Sequence, residues 1–79
     1  MRHIDSPNVT CKEEYSPNHT YTFTGPCVVT GKPYSVTIMA EDLFKFRQTD
    51  EILDTGLDED GREFVISGTT PEGWKQLFG

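Results

Sequence analysis

Four residues of metal-ligand type recur at an even interval: His3, Cys11, His19 and Cys27 stand eight residues apart each time. Imidazole and thiolate are the donors zinc prefers. Zinc sites usually contain a close pair such as C-x-x-C, and the chain has none. Cys11 and Cys27 also admit a disulfide, because an antiparallel pairing of their segments would bring them together. Against it, no export signal precedes them, and thiols inside cells stay reduced. The third outcome is two small thiols buried in a sheet and two surface histidines. That is the expectation here, with no metal and no cofactor.

Other chemistry-bearing patterns are fragmentary. Asp58-Glu59-Asp60-Gly61 matches the middle of a calcium-binding EF-hand loop, which also needs an acid at its first position and a glutamate at its twelfth. Those positions hold Gly56 and Ser67, so a helix start is the better reading. No G-x-S-x-G, H-E-x-x-H or phosphate-cradling G-x-x-x-x-G-K-[ST] occurs. His19 has the chemistry of a general base, but nothing near it in sequence orients it. A chain this short also encloses a pocket with difficulty, so no enzymatic activity is expected. Asn8-Val9-Thr10 and Asn18-His19-Thr20 satisfy the glycosylation rule, which is idle without secretion.

The acidic residues are more informative. Between Asp50 and Asp60 stand six acids and no base. Asp50, Asp54 and Asp58 run at i, i+4 and i+8, flanked by Glu51 and Glu59. On a continuous helix neighbouring acids would lie about 6 Å apart on one side. That spacing is comparable to successive phosphates, so such a face could act as a nucleic-acid decoy. Gly56 interrupts the run, and the plain alternative is a solvated face that keeps a small protein soluble. Nine aromatic residues accompany these acids. Phe44, Phe46, Phe64, Trp74 and Phe78 read as core, which leaves Tyr15, Tyr21 or Tyr34 as exposed anchors for a partner.

The elements that must position these groups follow from pattern. Residues 1–7 read as a loose, flexible terminus and 8–79 as one small domain. Asn8 to Tyr15 reads as a short strand, and Ser16-Pro17-Asn18-His19 as a turn. Tyr21-Thr22-Phe23-Thr24 alternates aromatic and hydroxyl residues, as a half-buried strand does. Gly25-Pro26 should break or bulge it before it continues through Cys27-Val28-Val29-Thr30. A loop over 30–33 leads to Tyr34–Met39, with Tyr34, Val36 and Ile38 on one face.

At Ala40 the texture turns helical. A helix over 41–48 would gather Leu43, Phe44 and Phe46 on one face. A second, capped by Thr49, would run over 50–55 with Ile52 and Leu53 inward and Gly56 as a left-handed stop. Residues 57–68 admit a hairpin at Asp60-Gly61, but Leu57-Asp58-Glu59 is poor strand material, and a helix ended by Gly68 is preferred. Thr70-Pro71-Glu72 starts a last helix, with Trp74, Leu77 and Phe78 sharing a face that must dock on the sheet. The fold class is α+β: a small antiparallel sheet of three strands followed by three or four short helices packed on one face.

The 79 residues carry a net charge of −6, and residues 41–79 carry all of it. Such a field repels nucleic acid, so direct binding to DNA or RNA is disfavoured. It favours attraction to basic surfaces. No apolar run approaches the length of a membrane span.

The runs Tyr21–Lys32 and Ser35–Ile38 resemble small proteins encoded in bacteriophage genomes. So do Asp42-Leu43-Phe44, Arg62–Gly68 and Pro71-Glu72-Gly73-Trp74. The resemblance spans about residues 8–78 and implies a viral accessory role in the host cytoplasm. In size and acidity the chain is similar to phage-encoded inhibitors of host defence, including anti-CRISPR proteins. No catalytic or binding residue is carried over. The resulting expectation is a non-enzymatic protein that binds a host or phage protein, most naturally a nucleic-acid-handling one. Asp50, Glu51, Asp54, Asp58 and Glu59 would supply charge, and Tyr21 and Tyr34 the apolar anchors. The alternative is a structural or virion-associated protein that self-assembles as a homo-oligomer through a sheet edge.

Overall fold

The computed structural model describes residues 2–79. Strand β1 (Thr10–Glu14) pairs antiparallel with β2 (Thr20–Pro26), which pairs antiparallel with β3 (Pro33–Met39). The register sets Cys11 opposite Phe23, Phe23 opposite Val36, and Tyr21 opposite Ile38. The two-residue period of a strand therefore sends Phe23, Val36 and Ile38 to one face, where all three are buried. It sends Thr22, Thr24, Ser35 and Thr37 to the other. There the hydroxyls of Thr22 and Thr37 bond at 2.9 Å, and those of Thr24 and Ser35 at 2.7 Å. A sheet with one wet face needs such cross-strand polar pairs.

Strand β2 passes through Gly25-Pro26 without a break, contrary to the sequence expectation. Pro26 is tolerated because it ends the strand, and the next N–H, that of Cys27, continues the pairing to the Lys32 carbonyl at 2.8 Å. Residues 27–30, expected as strand, are not strand, and 28–30 form a turn instead.

Helix α1 (Ala40–Thr49) buries Leu43 and Phe46, whereas Phe44 is half exposed. A step of one residue turns a helix by about 100°, so Phe44 cannot share the narrow stripe that faces the sheet. A 3-10 turn follows at Ile52–Thr55, capped by Glu51 rather than Thr49. Ile52 packs against the core, but Leu53 points outward, also contrary to expectation. The ambiguous stretch is helix α2 (Glu59–Ser67), whose Asp58 cap accepts the Gly61 N–H at 2.8 Å. Gly68 stops it in the left-handed region at φ 82°. Helix α3 (Pro71–Phe78) is capped by Thr70. The architecture is thus α+β, a three-stranded antiparallel sheet followed by three α-helices.

The amino-terminal segment departs most from expectation. Residues 3–5 form a 3-10 turn, and Ile4 is buried in the core with Phe23, Val36, Ile38, Phe46 and Phe64. The Arg2 guanidinium lies 4.4 Å from the centre of the Phe46 ring. The His3 ring meets Phe64 edge-on at 5.0 Å, and its Nε2–H donates to the Pro26 carbonyl at 3.0 Å. A Cβ on Gly68 would stand 2.6 Å from His3 Nδ1, so glycine there serves both the turn and the close approach.

Removing the Ile4 side chain therefore tests this packing. Ile4→Ala is expected to cost about 2–5 kcal/mol in urea unfolding, the range for a buried aliphatic truncation. A loose terminus would give a change below ~0.5 kcal/mol.

Candidate partner-binding surface

The acids expected to form one ladder are separated by the backbone. Asp50 takes a left-handed conformation at φ 60°, the 3-10 turn follows, and Gly56 breaks the direction again at φ 71°. No single helix spans 50–60, so the phosphate-like spacing of Asp50, Asp54 and Asp58 does not arise. Several of these side chains have local work. Asp50 is ion-paired with Arg2. Asp54 accepts the Thr49 hydroxyl at 2.8 Å and lies 3.7 Å from Lys45 Nζ. Asp58 caps α2, and Glu51 accepts the Leu53 N–H at 3.3 Å. Of the expected binding acids, only Glu59 has neither a cap nor an ion-pair role among the described residues.

Glu59 belongs to a different cluster. Helix α2 places Glu59, Asp60 and Glu63 beside Trp74 of α3, and the four line a shallow depression of about 310 Å³. Among the described residues no lysine or arginine pairs with these three carboxylates. Glu63 accepts only the Ser67 hydroxyl, at 2.9 Å.

The aromatic residues are also redistributed. Phe46 and Phe64 are core, but Phe44, Trp74 and Phe78, expected there too, are 52%, 43% and 73% exposed. Leu77 is exposed as well. Trp74 and Phe78, one helical turn apart, stack at 4.5 Å between ring centres. In the first turn of α3 Gly73, with no side chain, lets the helix lie against Cys27 and Val29. A Lys32–Glu72 pair at 2.8 Å holds the same end. Helix α3 is thus anchored by its first turn to the β2–β3 loop, and its apolar face does not dock on the sheet. Conversely, Tyr21 and Tyr34, expected as exposed anchors, are half-buried against the core, with Tyr34 5.1 Å from Phe64. The i, i+3, i+4 spacing of Trp74, Leu77 and Phe78 was visible in the sequence, but spacing identifies a face without saying what covers it.

The four residues of metal-ligand type do not converge. His3 bonds the Pro26 carbonyl, His19 bonds Glu13, and Cys11 and Cys27 are free thiols, the first exposed and the second buried. Among the described residues no group of three His, Cys, Asp or Glu side chains is placed to hold a metal ion.

His19 does have an orienting partner, supplied across the β1–β2 hairpin. Its Nε2–H donates to Glu13 Oε2 at 2.6 Å, and the Tyr21 hydroxyl donates to the same oxygen at 2.7 Å. The hydrogen bond to the carboxylate pushes Tyr21 up to about 12. The hydroxyl of Tyr21, with His19 and Tyr15, holds Glu13 below the usual carboxylate range.

Cys27 sits at the start of α3. Burial alone pushes a thiol up, but the Thr70 hydroxyl donates to its Sγ at 3.1 Å. The Thr30 N–H and hydroxyl and the Val29 N–H add to this, and together they bring Cys27 down to about 6. With 2% of the residue exposed, Cys27 is a packed structural group.

No helix among the described residues is long and apolar enough to cross a membrane. No protein family, curated protein sequence or solved structure is detectably similar to the chain.

Two titrations check this electrostatic account. Cys27 titrates lower when folded, near 6, than an unfolded thiol near 9.0. Its stabilising effect is therefore complete above pH 9 and is lost as pH falls through about 6. The urea midpoint should rise between those values in the native chain, and Cys27→Ala should remove that rise. Separately, Glu13→Gln should lower the Tyr21 phenol from about 12 toward the ordinary 10.0, read by phenolate absorbance.

Proposed function

We propose that the chain is a non-enzymatic binding protein that docks on a protein with a basic surface. The observation that carries this reading is the Glu59, Asp60 and Glu63 cluster. Several acids elsewhere are matched: Asp5 with Arg47, Asp50 with Arg2, Asp54 with Lys45, and Glu72 with Lys32. Three carboxylates that form no ion pair among the described residues, with the single Arg62 near Glu59 and Glu63, beside an exposed tryptophan favour a partner that brings more cations. Complementary charge of this kind speeds encounter, and buried aromatic contacts slow release.

Proteins that handle nucleic acid expose basic surfaces, so they are the partner class that this charge favours. The resemblance to bacteriophage-encoded proteins, and the likeness to anti-CRISPR inhibitors in size and acidity, supports a host or phage protein of that class as the target. Action in the host cytoplasm, by blocking a defence or nucleic-acid-handling protein, is the corresponding biological role.

A second reading has its own observation. All five residues of β1 are exposed, and β1 is an edge strand. Such an edge can pair with a second copy, as a virion-associated or self-assembling protein would require.

An affinity pull-down from bacterial lysate, read by mass spectrometry, tests the first reading. The native chain should retain a nucleic-acid-handling protein at low salt and release it at high salt. A Glu59→Gln, Asp60→Asn, Glu63→Gln bait should lose it. Retention indifferent to salt and to these substitutions would sink the reading. A sedimentation mass well above the 8.9 kDa of one chain, with no partner present, would move the weight to self-assembly.

A further inference from the structure

The uncovered face of α3 calls for an occupant. An eight-residue helix is marginal in water, and this one is fixed by its capped first turn while its later turns expose Trp74, Leu77 and Phe78. Stacked aromatic side chains on a surface are a feature of interface cores, where tryptophan and phenylalanine are enriched and acids stay at the rim. The arrangement here matches that anatomy, with an apolar centre on α3 and a carboxylate border on α2.

Charge decides between occupants. A second copy docking face to face would set two such carboxylate borders, Glu59, Asp60 and Glu63 of each chain, within one contact, because a two-fold contact uses the same patch on both chains. Like charges juxtaposed at an interface cost several kcal/mol. A partner with cations at the same positions turns that repulsion into attraction. An arginine or lysine entering the depression would also lie beside Trp74, the side chain with the strongest cation–π attraction.

We infer that the Trp74, Leu77 and Phe78 face docks on a basic amphipathic segment of another protein. Arginine or lysine of that segment meets Glu59, Asp60 and Glu63, and its apolar side chains cover Trp74 and Phe78. This rests on the binding reading above and adds the contact face and the chemistry of the partner segment.

Trp74 is the chain's single tryptophan, so its fluorescence reports on this face directly. The probe is a short synthetic peptide that alternates arginine and leucine, with a control in which glutamate replaces arginine. Titration with the basic peptide should shift Trp74 emission to the blue and saturate, and the acidic control should leave it unchanged. Leu77→Ala with Phe78→Ala, and separately Glu59→Gln with Asp60→Asn and Glu63→Gln, should each weaken binding about tenfold, or 1.4 kcal/mol. Circular dichroism and the urea midpoint should stay near native for both variants, because the altered side chains lie outside the core.

An unresponsive Trp74, or equal binding of the acidic control, would overturn the inference. So would an emission shift that follows protein concentration alone and coincides with a dimer mass, which would make a second copy the occupant. The two proposals fail separately. If the neutralised bait loses its captured protein while Trp74 ignores the basic peptide, the acidic-surface reading stands and the α3 docking face falls. If Trp74 binds the peptide while salt-sensitive capture is absent, the opposite holds.

Discussion

Exclusion of water from two phenylalanine rings governs this fold. Phe46 of α1 and Phe64 of α2 are fully buried, and a chain of 79 residues has few others to place beside them. A sheet of three short strands offers one apolar face, made by Phe23, Val36 and Ile38, which is too small to cover both rings alone. The amino-terminal turn completes the enclosure. Ile4 enters the core, Arg2 lies over Phe46 and His3 abuts Phe64. That placement explains why a segment with no strong helical signal is ordered, since burial of one isoleucine and contact with two aromatic rings offset the entropy of fixing a few residues.

The same enclosure organises much of the charge. Holding Arg2 over Phe46 brings its guanidinium to Asp50 at the end of α1, and Asp5 lies 3.1 Å from Arg47 of the same helix. Such exposed pairs contribute little individually to stability. Their larger consequence is for the surface, because the Arg2 pair neutralises Asp50, an acid that a reading of the sequence assigns to a partner. A cluster of three acids, unpaired among the described residues, remains on α2, at Glu59, Asp60 and Glu63, at the far end of the densest acidic stretch.

Economy of apolar residues explains the exposed aromatics in turn. The space beneath the sheet is filled by α1, α2 and the amino-terminal turn, so α3 is left at the end of the molecule against the β2–β3 loop. Its approach is made by Gly73 and Thr70 around the Cys27 sulfur, a polar and close-packed contact. The apolar stripe of α3 consequently faces outward. A small protein that exposes a stacked tryptophan and phenylalanine has surface suited to covering by a partner.

Local signals in the sequence determined most of the elements. The two-residue alternation at 21–24 and 34–38, the caps at Asp58 and Thr70, and the left-handed stops at Gly56 and Gly68 all act within a few residues. They therefore place strands and helices without reference to the rest of the chain, and the α+β order follows from them. Tertiary structure alone decided which faces were covered. Trp74, Leu77 and Phe78 carry the same helical spacing a core face would, and Ile4 carries no periodic signal at all. Whether a side chain is buried depends on which distant segment reaches it, and that depends on the finite apolar area the whole chain can supply. The proposed binding surface was legible as a composition of acids and aromatics. Its location was not, because pairing of Arg2, Lys45 and Lys32 with particular acids is a matter of three-dimensional proximity.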